Sequence, residues 1–256
     1  MADSIILGRT LTDAPPAAPD EAFVYQHIHV RSLRPAALAA HVAVAGEASQ
    51  QLFGFGFDAD AAAMDALCRR MLLRNRYPSG VSSCITLRIY SGGESRWTCG
   101  EIFVCDGFVL RPLRPEATLV SYDIPFGELP SSARSAMHLL ALSDARRRGF
   151  RSVVRCDSRG RVLTADDSPV FVVRGRTVYT PDTFRSVEGM RAAAALHHAG
   201  YELVQTDIAA GALRDADEIF LCDCRGITAL GSLDGRPLAD IIARAAARAL
   251  AAASRR

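Results

Sequence analysis

The sequence predicts an α/β chain of the α+β kind in two domains. Helices pack on a mostly antiparallel sheet in the first half, and a strand-rich second half lacks regular βαβ alternation. Three observations carry this. In the segment that begins at residue 58, Met64, Leu67, Cys68, Met71 and Leu72 recur on one face at the helical period. Strand-like runs at 85–90 and 97–105 lead to Asp106-Gly107, a two-residue turn that predicts a hairpin into 108–110. A stretch punctuated by prolines, from Pro112 to Pro130, then separates the two halves. The expected organisation is a first domain at 1–111, a linker at 112–131 and a second domain at 132–256.

The elements follow in order. Residues 1–20, Ala/Pro-rich around Pro15, Pro16 and Pro19, read as a strand start and a loose connection. Residues 23–30 alternate as a strand. Pro35 suits the first position of a helix running to about residue 50, and a second helix begins at 58. The second half restarts with a helix at 132–148, a strand at 152–157, the turn Ser158-Arg159-Gly160 and a strand at 161–164. Residues 170–173 and 177–179 pair around Arg174-Gly175-Arg176. A helix at 184–199 stops at Gly200. A strand at 201–205, a short helix near 209–213, and strands at 218–222 and 227–230 come next. The last helix starts at Pro237, with Leu238, Ile241, Ile242 and Ala245 inward. No internal repeat is present.

Composition excludes whole classes of chemistry. All 30 basic side chains are arginine, and lysine is absent. No side-chain amine exists to form a Schiff base, and no phosphate-loop or Ser-x-x-Lys lysine is available. A net charge of +2 is too small to indicate a nucleic-acid or membrane partner, and no apolar run approaches the ~18 residues of a membrane span. The opening Met1-Ala2-Asp3-Ser4 lacks an export pattern. The seven cysteines have irregular spacing, so they read as reduced and mostly buried, in a cytoplasmic protein.

Motifs narrow this further. Gly54-Phe55-Gly56-Phe57-Asp58-Ala59 fits G-x-G-x-x-A, but a helical stretch precedes it and strand 85–90 ends in Ser91, not an acid; it reads as a turn between helices. His27 and His29 share a strand face without a third ligand at a telling spacing, so no metal site is expected. Cys222-Asp223-Cys224 closes a strand, as buried small residues or as two thiols on one face. Asp166-Asp167 reads as a solvated turn pair.

From Ser132 to Leu238 the chain resembles the class IV, fold type IV, pyridoxal-phosphate-dependent aminotransferases, a family with branched-chain and D-amino-acid aminotransferases and aminodeoxychorismate lyase. The residues carrying the resemblance are Asp144-Ala145 with Gly149, Gly160-x-Val162, Val170-Phe171 and Tyr179-Thr180-Pro181. Then follow Gly200, Leu213, Ala216-Asp217-Glu218-Ile219-Phe220 and Leu233-Asp234-Gly235. The first half resembles the family more weakly, at Leu38-x-x-His41-Val42. The resemblance implies an N-terminal α/β sandwich and a C-terminal barrel-like α/β domain, usually in a homodimer, with pyridoxal phosphate held between them.

Carried over position by position, the cofactor residues are changed. The family's lysine falls near Pro130, Ser131 and Ser132, with Arg134 the nearest cation. Its ring-nitrogen glutamate falls at Thr164 and the asparagine after it at Pro169. Its first phosphate-binding segment falls at Ser186-Val187-Glu188, and its Gly-Thr-Ala loop at Asp223-Cys224-Arg225. Its N-terminal arginine becomes Val44. The expectation is a catalytically inactive member without cofactor, binding a small anionic metabolite through Arg134 and Arg225 or pairing with an active aminotransferase. The rival expectation is an enzyme rebuilt around Cys224, Ser131 or Glu188.

Overall fold

The computed structural model describes residues 4–13, 15–103, 105–182 and 186–253. The chain divides into two compact units, Met1–Gly107 with Leu129–Ala133, and Phe108–Glu128 with Arg134–Arg256.

The first unit is a six-stranded antiparallel sheet of order β2-β1-β6-β5-β3-β4, with two helices. Its elements are β1 (Ile5–Leu7), β2 (Thr10–Thr12), β3 (Phe23–Arg31), β4 (Arg34–Pro35), α1 (Leu38–Phe53), α2 (Ala61–Arg74), β5 (Ser83–Tyr90) and β6 (Ser95–Ile102). The face formed by Ile28, Val30, Ile85, Leu87 and Trp97 is covered by Leu38, Val42 and Ala45 of α1 and by Met64, Cys68 and Met71 of α2. Burial of this apolar surface is what orders the helices. Pro35 does not open a helix. It pairs with Val30, and Ala37, at φ 51°, turns the chain into α1. The start of α2 is fixed by Asp60, whose carboxylate accepts the Ala62 N–H at 2.9 Å. Gly54, at φ 80°, ends α1, which settles the Gly-rich motif as a helix stop. The Ala/Pro-rich connection is held rather than loose: buried Arg96 donates to the carbonyls of Pro16 at 2.9 Å and Ala17 at 2.8 Å.

The second unit holds two curled six-stranded sheets, of orders β14-β10-β9-β8-β17-β18 and β13-β12-β11-β15-β16-β7. In chain order these are β7 (Val109–Leu110), β8 (Glu116–Ser121), α3 (Ser132–Arg147), β9 (Ser152–Cys156), β10 (Arg161–Ala165), β11 (Val170–Arg174), β12 (Thr177–Thr180), α4 (Val187–His198), β13 (Glu202–Gln205) and β14 (Ile208–Ala209). A 3₁₀ turn, Ala210–Asp215, leads to β15 (Glu218–Asp223), β16 (Gly226–Ala229), β17 (Ser232–Leu233), β18 (Arg236–Pro237) and α5 (Ile241–Ala253). The predicted start of α4 at residue 184 lies outside the described residues. Strand pairs β8–β9 and β12–β13 are parallel, and each is joined by a crossover helix, α3 and α4, as parallel pairing requires. Alternation along β11 sends Val170 and Val172 into a core shared by both sheets, with Val154, Val162, Ile219 and Leu221. Phe171 and Val173 face the other way, under Ala192 and Leu196 of α4 and Ala243 and Ala246 of α5.

Three expectations are corrected here. The stretch 112–131 is not simply a linker, because β8 within it pairs with both β9 and β17. Asp106-Gly107 turns the chain, but β7 runs parallel to β16 instead of closing a hairpin. The Asp106 carboxylate is held by Arg31 at 2.9 Å, and Gly226, at φ 123°, leaves room for β7: a Cβ there would stand 2.3 Å from the Val109 carbonyl oxygen. Pro237 belongs to β18, so the last helix starts four residues later.

The motif Ala216-Asp217-Glu218-Ile219-Phe220 is structural. Glu218 is buried, and its carboxylate accepts the Ile242 N–H at 2.9 and 3.0 Å and the Ala243 N–H at 3.1 Å, capping α5 from a neighbouring strand. Asp217 accepts the Gly175 N–H at 2.7 Å and so closes the β11–β12 turn. Removing the cap orphans buried donors. Glu218→Ala is expected to lower unfolding free energy by about 2 kcal/mol, measured by urea denaturation followed by circular dichroism; an unchanged midpoint would refute the capping role.

Candidate functional site

Two of the sequence-matched segments meet in the second unit, at the start of α4 and the end of β15. Ser186 caps α4 by accepting the Gly189 N–H at 3.3 Å. Glu188, in the first turn, is only 7% exposed. Burial pushes its carboxyl up to about 7, against the opposing pull of Arg191; the negative charge of Asp223 adds to the rise. Arg191 lies one turn on, its guanidinium 4.1 Å from the centre of the Phe108 ring. Burial, with Glu188 and Asp223 close by, also drives the Cys222 thiol well above its ordinary range; it is a small core residue, not a thiolate. Cys224 is buried too. Arg225 bends back onto Asp223: its Nε donates to Oδ2 at 2.8 Å and its backbone N–H to Oδ1 at 2.8 Å. Arg225 therefore already carries a carboxylate.

A second group surrounds Thr164. On β10, Thr164 stands opposite Arg155 of β9, and both are 2% exposed. Arg155 pairs with Glu128, donates to the Tyr122 carbonyl at 3.2 Å, and lies 5.2 Å over the Tyr122 ring. Burial raises the Tyr122 hydroxyl to about 12. Arg134, 1% exposed, pairs with the Asp167 carboxylate and donates to the carbonyls of Glu128 at 2.7 Å and Asp167 at 2.9 Å. Asp166 accepts the Ser152 hydroxyl at 2.7 Å and the Val153 N–H at 2.9 Å. Burial raises the Asp166 carboxyl and lowers the His138 imidazole, and the charge of Arg225 reaches Asp166. Asp166 and Asp167 are thus not a solvated pair. Both sit at positive φ, 43° and 61°, where non-glycine residues are costly, and their hydrogen bonds hold them there.

Ser131 belongs to the first unit, where it bridges Val24 of β3 and is buried. His27 contacts Thr86 at 3.0 Å and His29 stacks on Phe103; among the described residues no cluster of three or more metal-ligating side chains occurs. Motif reading missed Arg155, Glu128 and Arg191. One signal existed: Arg155 interrupts an apolar strand, and a charge there must bring a partner.

Glu188 gives a pH prediction. A carboxyl that holds its proton more tightly folded than unfolded contributes stability below about pH 4.5, and loses it as pH rises through about 7. Relative to Glu188→Gln, the parent chain is expected to lose on the order of 3 kcal/mol between pH 4.5 and 8. Chemical denaturation at both pH values checks this, and parallel profiles would contradict it.

Comparison with known proteins adds to the geometry. Residues 24–228 match the family model for amino-transferase class IV. Branched-chain-amino-acid aminotransferase 2, chloroplastic, of Arabidopsis thaliana is 36% identical over 100 residues, 37% of this chain and 26% of that protein, so the chain matches about a quarter of that relative's length. A fold IV transaminase from Curtobacterium pusillum superposes with TM-score 0.80 at 19% identity, covering 95% of this chain and 96% of that one. An aminotransferase from Brucella abortus, solved with the cofactor PLP, gives TM-score 0.80 at 20% identity and 96% coverage of both chains. These structures establish the fold. They also correct the expectation of no cofactor, because the family and the PLP-bound relative point to pyridoxal phosphate. That expectation rested on the changes read at the lysine, the ring-nitrogen acid, the two phosphate segments and the N-terminal arginine taken together. With four-fifths of its length inside the family model and the fold in agreement, the chain belongs to the class IV aminotransferase family.

Proposed function

We propose that this chain is a non-transaminating member of its family that binds a pyridoxal-type phosphate without a covalent bond to the protein. One observation carries the reading: all 30 basic side chains are guanidinium groups and no side-chain amine exists. Arginine stays protonated at any working pH and cannot condense with an aldehyde. Bound pyridoxal phosphate supplies an electron sink, and this chain lacks the amine and the ring-nitrogen acid that operate it. The residues present therefore do not fit a covalently anchored cofactor. Thr164 offers a hydroxyl where the family has an acid, and its cross-strand neighbour Arg155 is a fixed cation committed to Glu128.

The phosphate-binding positions also differ, with Glu188 and Asp223 supplying carboxylates. The proposed role is binding: of a small anionic metabolite of this class, or of a partner subunit, either a second copy or an active aminotransferase. Exposed Leu139 and Leu140 on α3, at 61% and 66%, support a pairing face. Among the described residues no helix is long and apolar enough to cross a membrane.

The test is direct. The purified chain with pyridoxal phosphate is assayed for amino-group exchange with branched-chain and D-amino-acid donors, and for ligand binding by calorimetry. The expected result is reversible binding and no exchange above the rate of free pyridoxal phosphate. Turnover by the isolated chain would overturn the proposal.

A further inference from the structure

We propose that the second unit binds a small amine with an apolar body and no carboxylate, in a cavity between α4 and the ends of β12 and β13. The cavity holds about 380 Å³, enough for a small ligand. Local sequence creates it. Ser186, Gly189, Met190 and Ala193 follow at steps of three, one and three residues, so they share one face of α4 and its cap. Three of them carry little or no side chain and the fourth is a flexible thioether, so this face leaves space above the sheet. The floor is the α4-facing side of three strands: Phe171 of β11, Thr180 of β12, and Leu203 and Gln205 of β13. Thr180 and Gln205 stand side by side in the parallel β12–β13 register. Val170 and Val172, which alternate with Phe171, pack instead with Val162 and Ala165 of β10. The cavity thus lies across the sheet from the strand that carries Thr164.

The chemistry of the lining selects the ligand. Phe171, Leu203, Met190 and Ala193 give it an apolar interior. The Thr180 hydroxyl donates its proton to the Val170 carbonyl at 2.9 Å, so its remaining capacity is to accept. The Gly189 N–H, which would attract an anion, is taken by Ser186 at 3.3 Å. Asp182 and Gln205 are exposed and mark the mouth. Among the described residues the lining carries one charge, the Asp182 carboxylate, and no arginine. An ammonium group has three N–H donors and no acceptor, and so matches such a mouth. A carboxylate or phosphate would be repelled by Asp182 and find no cation to offset it.

The probes are n-hexylamine, n-hexanol and hexanoate, which share a chain length and differ in charge, with n-butylamine as a shorter amine. Methionine methyl groups are labelled with carbon-13 and followed by NMR titration near neutral pH. The Met190 signal, assigned through Met190→Leu, reports on the cavity, while Met64, Met71 and Met137 serve as internal controls. Met190 alone is expected to shift saturably. Affinity is expected to rise about fourfold per methylene from butylamine to hexylamine, with hexanoate the weakest of the three six-carbon probes. Asp182→Asn, a change at an exposed position, is expected to weaken hexylamine about threefold and leave hexanol unchanged. Equal binding of all three six-carbon probes, preference for hexanoate, or an unchanged hexylamine affinity in Asp182→Asn overturns the assignment to amines. No saturable Met190 shift, or equal shifts at the control methionines, overturns the cavity as a site. No pyridoxal phosphate is present, so either outcome leaves the function proposed above standing.

Discussion

A guanidinium cannot shed its proton when buried, and in this chain every basic side chain is a guanidinium. Each buried cation must therefore bring an anion or a set of carbonyls with it. Arg134 brings Asp167 and the Glu128 carbonyl, Arg155 brings Glu128, and Arg96 brings Glu94 with the carbonyls of Pro16 and Ala17. Arg225, partly exposed, brings Asp223. This constraint shapes the interior of the second unit. A buried lysine lowers its own pKa and becomes a nucleophilic amine. A buried arginine becomes a strut. The same sequence property that rules out a side-chain Schiff base thus builds the ion-pair network seen around Thr164 and Asp166.

The residues through which the chain resembles the family hold its structure together. Glu218 caps α5, Asp217 closes the β11–β12 turn, and Asp234 accepts the Thr118 hydroxyl at 2.6 Å. Gly149, at φ 93°, ends α3, and Thr180 donates to the Val170 carbonyl at 2.9 Å.

Much of the fold was legible because it is periodic. The helical spacing of Met64, Cys68 and Met71 gave α2, and the paired runs around Arg174-Gly175-Arg176 gave β11 and β12. What periodicity does not encode is partnership. Residues 112–131 read as a linker because prolines dominate locally, yet β8 finds its partners 35 and 116 residues away, Ala117 against Ser152 and Glu116 against Ser232. The Asp106-Gly107 turn was legible and its hairpin was not, because β7 pairs with β16, more than 100 residues away. At the candidate site, the sequence offers only the positions that the family resemblance implies. The proximity of Glu188 to Asp223, and the pairing of Arg155 with Glu128, depend on strand register and helix docking that no local pattern carries. The cofactor expectation was overturned by the family match and the PLP-bound relative, neither of which a reading of single positions includes.

The central claim is that this family member has no covalent hook for its cofactor. The chain is incubated with pyridoxal phosphate, reduced with borohydride, digested, and mapped by mass spectrometry. The account predicts that no side chain carries a pyridoxyl group, with labelling confined to the terminal amine. A pyridoxyl adduct on any side chain in the second unit would contradict it.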